Sequence, residues 1–425
     1  MLITTKTNQE VKNVAQVNIT LSQEEVLQFL SGNRDEGFKM IVERIMNQIM
    51  LAESAEQLGA QRHERSDERR DYRNGIRERE LNTRIGTLTL EVPRHRNEPF
   101  HTMVFENYSR SEASLIATMV QMVVCGVSTR KVEKVVQELC GTSFSKSAVS
   151  ELCKKLDHDI EDFRSRPLDT TDAPFLMVDA TYFKVREDHR IISKAFLVAL
   201  AIKNDGTREV AGFGVYDSED NYSWKDFFEG LKGRGLRPEV IISDAHRSIK
   251  KSVVEVFPGT AWQRCQVHLL RNILDATPPK YTEGLRTELR SMFTSKSIEE
   301  ARRIKEEIVS EYETVAARAM DILEKGFEDS MTVYGLPEYI RITVRTTNIL
   351  ERMNREFKRR SDVIQIFPNS GSVLRLMGAV AIECSEAMTA KQRLYSEKAY
   401  MKYISPMKDS FRKTAERQLA EIKAA

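Results

Sequence analysis

Between residues 174 and 270 the apolar positions come in short runs. "PFLMVDATYFKV" (174–185), "ISKAFLVALAIK" (192–203) and "TREVAGFGVYD" (207–217) read as three strands, with "NDG" (204–206) as a turn. That is the pattern of an antiparallel meander. "SWKDFFEGLKGRG" (223–235) follows as a helix ending at glycine. "PEVIISD" (238–244) is a buried strand, "AHRSIKKSVVEVF" (245–257) a helix, and "AWQRCQVHLL" (261–270) holds another short strand. The order βββαβαβ predicts a mixed α/β sheet rather than strict alternation. Residues 270–340 are almost wholly helical in pattern. Residues 346–360 lack Gly and Pro and carry Ile349, Leu350, Met353 and Phe357 at helical spacing.

The first twenty residues predict weak order. Residues 23–60 read as helical, broken near "SGNRDEG" (31–37), with Phe38, Ile41, Ile45 and Ile49 as the apolar stripe. "RNG" (73–75) signals a turn. "TRIGTLTLEVPR" (83–94) alternates like a strand or hairpin stopped by Pro93. Within 112–158 two amphipathic helices are predicted. One spans 128–139 with Val132, Val135, Val136 and Leu139 inward; the other spans 145–156 with Val149, Leu152 and Leu156 inward. Ser or Thr stands at each start, and "CGTSF" (140–144) links them with Gly141 in the turn. This matches a helix-turn-helix offering Arg130, Ser145, Lys146, Ser147 and Ser150 to a groove; an ordinary helical hairpin fits the same spacing.

Composition narrows the class. The chain has 425 residues, 41% hydrophobic and 30% charged, enough for two to four domains with sizeable cores. The pattern divides it into 1–110, 111–170, 171–270, 271–340 and 341–425. Net charge is only +2, so any claim about nucleic acid rests on local clusters. Residues 341–360 supply one: Arg341, Arg345, Arg352, Arg355, Lys358, Arg359 and Arg360 against Glu351 and Glu356. Such stretches meet phosphates. The five cysteines are scattered, which suits free thiols in a reducing cytoplasm. No apolar run reaches the length of a membrane span, and "MLITTKTNQE" lacks the order of a signal peptide. The expected location is therefore cytoplasmic, at the nucleoid.

Two acids end apolar strands: Asp179 after "FLMV" and Asp244 after "VIIS". The C-terminal ends of central strands form the ligand-binding edge of such sheets, although Asp also caps helices and turns. Glu351 is the third candidate, beside the stripe of 346–360; with Asn348 it also resembles a capping box. Glu356 is placed to pair with Arg359 or Arg360. Two carboxylates about 4 Å apart repel by ~4 kcal/mol at an effective dielectric near 20. Mg²⁺ relieves that repulsion, and two ions suit an in-line displacement at phosphorus.

At these residues the chain resembles the bacterial insertion-sequence transposases of the Mutator superfamily. "DATYFKVRED" is similar to the first-aspartate motif, "IISDAHRSI" to the second, "WQRCQVHLLRN" (262–272) to a Cys-x-x-His signature, and "TTNILERMNREFKRR" with "FPN" (367–369) to the glutamate block. "YRNGIRERELNTRIGTLTLEVPRHR" (72–96) and "GVSTRKV" (126–132) are also family-like, and Trp224 matches a family tryptophan. A glycine expected after Asp244 is absent from "HRSI". The resemblance implies an RNase H-like catalytic core interrupted by an all-helical insertion, with a mainly helical N-terminal DNA-binding region. It assigns Asp179, Asp244 and Glu351 as the catalytic, metal-holding triad, with two Mg²⁺ or, as a substitute, Mn²⁺. It also implies the element's terminal inverted repeats and target DNA as partners, and a homodimer or higher oligomer. Arg345, Arg352, Arg355, Lys358 and Arg359 would hold phosphates. A closed zinc site needs four ligands. Cys265 and His268 therefore remain supports beside the ions or a buried structural pair, and His246 touches DNA or caps its helix. A non-catalytic DNA-binding regulator and an RNase H-like nuclease are the alternative functions.

Overall fold

The computed structural model describes residues 34–61, 64, 69–83, 85–102, 104, 113–140, 144–154, 156–168 and 172–424. The chain falls into two compact units, Met1–Leu152 and Cys153–Ala425. The expectations for the first twenty residues, and for a helix ahead of residue 34, lie outside the described residues.

In the first unit, helix α1 (Arg34–Leu58) packs on an antiparallel hairpin, β1 (Arg73–Thr83) and β2 (Gly86–His95). Val42, Met46 and Met50 meet Leu81, Leu88 and Leu90. The expected stripe is thus one position off: Phe38 is half-exposed, and Ile41, Ile45 and Ile49 are only partly buried. The helix is apolar on two flanks, and its polar residues decide between them. Glu43 Oε1 accepts from Thr89 N (2.7 Å) and Asn47 Oδ1 from Glu91 N (2.9 Å), which covers the open edge of β2. "RNG" is a bulge and not a turn, because Gly75 (φ 83°) sits where the register shifts between Arg73 and Ile76. Pro93 does not stop β2, which runs to His95. Its position has the parity of Thr89 and Glu91, whose N–H groups point away from β1, so no ladder bond is lost.

Helices α2 (Ala113–Val124), α3 (Thr129–Cys140) and α4 (Lys146–Cys153) close around Leu115, Met119, Val132, Val136, Phe144 and Val149. Ser128 Oγ accepts from Lys131 N (3.4 Å) and Ser145 Oγ from Ala148 N (3.1 Å), as N-cap residues do. The Gly141 turn lies outside the described residues, as do the side chains of Leu139 and Lys146. The second helix ends at Cys153 rather than 156. Leu156 opens a new helix, α5 (Leu156–Ser165), whose first turn carries Asp157 and Asp159, charges that favour a helix start.

The second unit continues with β3 (Phe175–Glu187), β4 (Arg190–Ile202), β5 (Arg208–Tyr216), α6 (Asn221–Gly233), β6 (Val240–Ser243), α7 (Arg247–Val256), β7 (Ala261–Arg264) and α8 (Gln266–Asp275). Next come α9 (Thr282–Thr294), α10 (Ile298–Tyr312), α11 (Ala317–Ser330), α12 (Glu338–Val344), α13 (Asn348–Ser361) and α14 (Ser370–Thr389). Short helical turns over 397–407 lead to α15 (Lys408–Ala424). The sheet order is β5–β4–β3–β6–β7, antiparallel across the first three strands and parallel from β3 to β7. Alternation sends Leu176 and Val178 to the face covered by Trp224, Phe228 and Val253. The opposite face carries Phe183 and Phe196; Phe196 meets Phe357 of α13 edge-on at 5.3 Å. Helices α8 to α11 build their own core around Leu269, Leu289, Ile308, Leu323 and Phe327.

The "NDG" turn is present. Gly206 has φ 79°, and a Cβ there would stand 2.1 Å from the Tyr395 carbonyl oxygen. Gly206→Ala is expected to cost more than about 2 kcal/mol in urea unfolding, through backbone strain and the clash together. A midpoint equal to wild type would show that the segment around Tyr395 gives way freely.

Candidate functional site

The register that places Leu176 and Val178 on one face of β3 turns Asp179 to the other, the face of α13. Asp179 Oδ1 accepts from Ala180 N (2.9 Å) and Oδ2 from Asn354 Nδ2 of α13 (2.7 Å). Asp244 follows β6 directly, its Oδ1 accepting from Ala245 N at 2.6 Å. Its backbone is pinned: Ser243 Oγ donates to the Asp244 carbonyl (2.8 Å) and accepts from Trp262 Nε1 (2.8 Å). Glu351 stands in the first turn of α13, where Leu350, Met353 and Phe357 are buried. No side-chain cap forms there, so the capping-box alternative is not realised; Thr347 is the N-cap residue. The Glu351 carboxylate instead faces His268 Nε2 (3.4 Å) and Arg271 Nη2 (3.6 Å) of α8.

His268 touches Glu351 and is influenced by the charges of Asp244 and Asp179. It is raised to about 9, most by Cys265, against burial, and then by the charges of Asp244 and Asp179. Its Nδ1 is buried without an acceptor, so Cys265 acts on it as a close neighbour rather than through a formed bond. Burial pushes the Cys265 thiol up, but the imidazole and Thr347 outweigh it and set it below the ordinary value. Thr347 N and Oγ1 both approach Cys265 Sγ, at 3.4 and 3.5 Å. Asp179 is raised to about 6; burial is the main cause, and Glu219 and Asp244 add to it. Among the described residues no three His, Cys, Asp or Glu side chains converge closely enough to hold one metal ion. Asp179 accepts from Ala180 N and Asn354, Asp244 accepts from Ala245 N, and Glu351 is ion-paired with His268 and Arg271. The described cysteines Cys125, Cys153, Cys265 and Cys384 are free thiols.

Sequence reasoning missed Glu219 and Asn354, as well as Arg271, which pairs with Glu351. Glu219 is raised by burial and by the charge of Asp244, and Tyr182 Oη lies 3.4 Å from its Oε2. It follows the strand in a run of acids whose capping member is Asp220, which accepts from Ser223 N, so nothing in the sequence singles it out. Asn354 lies three residues after Glu351, a spacing that puts both on one side of the helix.

The cationic candidates divide. Arg352, Arg355 and Lys358 are exposed on α13. Arg359 is held by Glu356 (2.8 Å), which also takes Arg360 (2.7 Å). Arg345 is turned inward, its Nη1 donating to the Phe293 carbonyl at 2.9 Å. His246 is exposed and makes no side-chain cap bond on α7. Arg130 and Ser147 are exposed in the first unit. Trp224 is fully buried.

The profile described as "Transposase, Mutator family" matches residues 13–390. The transposase for insertion sequence element IS256 in transposon Tn4001 of Staphylococcus aureus is 39% identical over 394 residues, 92% of this chain and 100% of that protein. The transposase for insertion sequence element ISRM5 of Rhizobium meliloti is 40% identical over 362 residues, 85% of this chain and 90% of that protein. Among solved structures, a chain of the Drosophila P element transposase strand transfer complex aligns with 68% of this chain and 80% of its own. Its identity is 9% and its TM-score 0.28, a likeness too loose to bear on fold or chemistry.

Proposed function

The chain belongs to the Mutator family of transposases, and from that premise we propose that Asp179, Asp244 and Glu351 form the centre at which it cuts and joins DNA. One observation carries the reading: His268 lies against Glu351 and feels both Asp179 and Asp244, so acids from β3, β6 and α13 all act on one imidazole. On this reading β3–β7 with α13 are an RNase H-like core, and the helices with their own core, α9 to α11, are an insertion into it. The substrate is DNA bearing the element's ends, then target DNA, handled by at least a dimer.

The donors suit a hard divalent cation. All three are carboxylates, and Asn354 Oδ1, beside Asp179, is buried without a donor. Asp179, Asp244 and Glu351 do not converge on one ion as they stand; drawn together, they would hold Mg²⁺ or Mn²⁺. Bound there, such ions activate a water and neutralise charge on the departing oxygen of a phosphodiester. The chain's own residues do the remaining work. Asn354 fixes the Asp179 carboxylate, and His268 with Arg271 aims Glu351. Arg352, Arg355 and Lys358 hold the strand by its phosphates.

The test is cleavage of end-bearing DNA, with binding measured in parallel, for Asp244→Asn and Glu351→Gln. Both variants should keep binding and lose cutting. Normal cutting by either one removes that residue from the centre.

A further inference from the structure

Arg264 is the last residue of β7, in register with Ser243 and so level with the strand end that carries Asp244. Its surroundings are unusual for a cation. The side chain is partly buried, yet among the described residues it has neither an ion pair nor a hydrogen bond, and its Nε is buried with no acceptor. The acids that influence it are Asp244 and Asp329. Asp329 is already saturated by Lys250 (2.6 Å), Arg417 (2.9 Å) and Gln418 (3.0 Å). A guanidinium whose Nε–H is buried without an acceptor is costly, and an anion at its remaining donors is one way that cost is met.

Helix α11 makes room for it. Gly326 sits inside that helix, where glycine weakens the backbone. A Cβ at this position would stand 2.3 Å from Arg264 Nη1 and 3.0 Å from its Cζ. The helix therefore gives up local stability at the point where the guanidinium passes.

We propose that Arg264 takes a phosphate oxygen of the DNA strand processed beside Asp244. This rests on the reading of the acids as the cutting centre. Arginine suits the task because its planar fork meets phosphate through two parallel bonds and stays charged. The phosphate could belong to the element end or to the target strand; the chemistry is the same.

The experiment uses the full chain and DNA in which single phosphates are replaced by neutral methylphosphonates. One arm scans the end strand around the cut in a cleavage assay. The other scans the target strand in a joining assay with pre-cut ends. At one position in one arm, the replacement should slow wild type about tenfold or more and slow Arg264→Gln less than twofold. Gly326→Ala, which crowds the guanidinium without removing it and also presses on Leu269, should show the same flattening. Equal slowing of wild type and Arg264→Gln at every position overturns the proposal, as does a wild-type rate for Arg264→Gln on unmodified DNA. Asp244→Asn on unmodified DNA separates the two ideas. If it cuts normally, the centre is misassigned; if it is dead while the Arg264 profiles coincide, only Arg264 is.

Discussion

Asp179→Asn is expected to lose DNA cutting by about a thousandfold or more and, in metal-free buffer at pH 8, to melt higher than wild type. The two effects have one cause. Asp179 is raised to about 6 by burial and by the acids around it. The folded chain therefore holds a proton there that the unfolded chain, near 3.8, has released. The stability contributed by that group is complete below the unfolded value and is lost as pH rises through the folded one. By pH 8 the fold carries an ionised, poorly solvated carboxylate at a cost of about 3 kcal/mol. The amide avoids this cost. It loses one acceptor, since a single oxygen cannot serve both Ala180 N and Asn354 Nδ2 at full strength, and that offsets about 1 kcal/mol. A net gain of about 1–2 kcal/mol raises the melting temperature by about 2–8 °C. The difference between variant and wild type should shrink on going from pH 8 to pH 5. A variant that melts lower than wild type at pH 8 would mean that its partners favour the ion, and the strain argument would be wrong.

That tension was only partly visible in the sequence. The runs "FLMV" and "VIIS", each ending in an acid, are the pattern of strands buried on both faces, so β3, β6 and the places of Asp179 and Asp244 could be read directly. Glu351 was readable because Leu350, Met353 and Phe357 fix which side of α13 is buried. Glu219 was not, because it stands next to Asp220, and a cap and a site acid look alike until the chain is folded. Asn354 and Arg271 were hidden for a related reason: their partners lie in other elements, 175 residues away in the case of Asn354 and Asp179. Near the N-terminus the error was one of phase. An apolar helix offers two faces, and the choice in α1 is made by Glu43 and Asn47 reaching the edge of β2, a long-range demand that periodicity does not contain.

Asp329→Ala should be strongly destabilising, at about 2–4 kcal/mol. Asp329 is buried at the end of α11, and burial alone would raise it. Lys250 of α7 and Gln418 and Arg417 of α15 outweigh that and hold it below the ordinary carboxylate value. Removing the acid leaves Lys250 and the partly exposed Arg417 with Glu421 as the partner they still share. It also frees Gln418, whose amide accepts from Trp262 N (2.9 Å) and donates to the Trp262 carbonyl (2.7 Å). Those two bonds cover the outer edge of β7, so the loss should spread from one carboxylate to the seating of α15. An exposed strand edge invites pairing between chains, and the variant should accordingly aggregate earlier on heating. Because the folded value is depressed, this contribution is present above the unfolded value and is lost as pH falls through the folded one. The wild-type advantage over the alanine variant should therefore shrink on acidification below about pH 4. Urea unfolding followed by tryptophan emission reads both effects, since Trp262 and Trp224 are the chain's two tryptophans. A midpoint within error of wild type at neutral pH would show that α15 is seated by its apolar residues, chiefly Phe411 and Ala415, and that the charge network only decorates the contact.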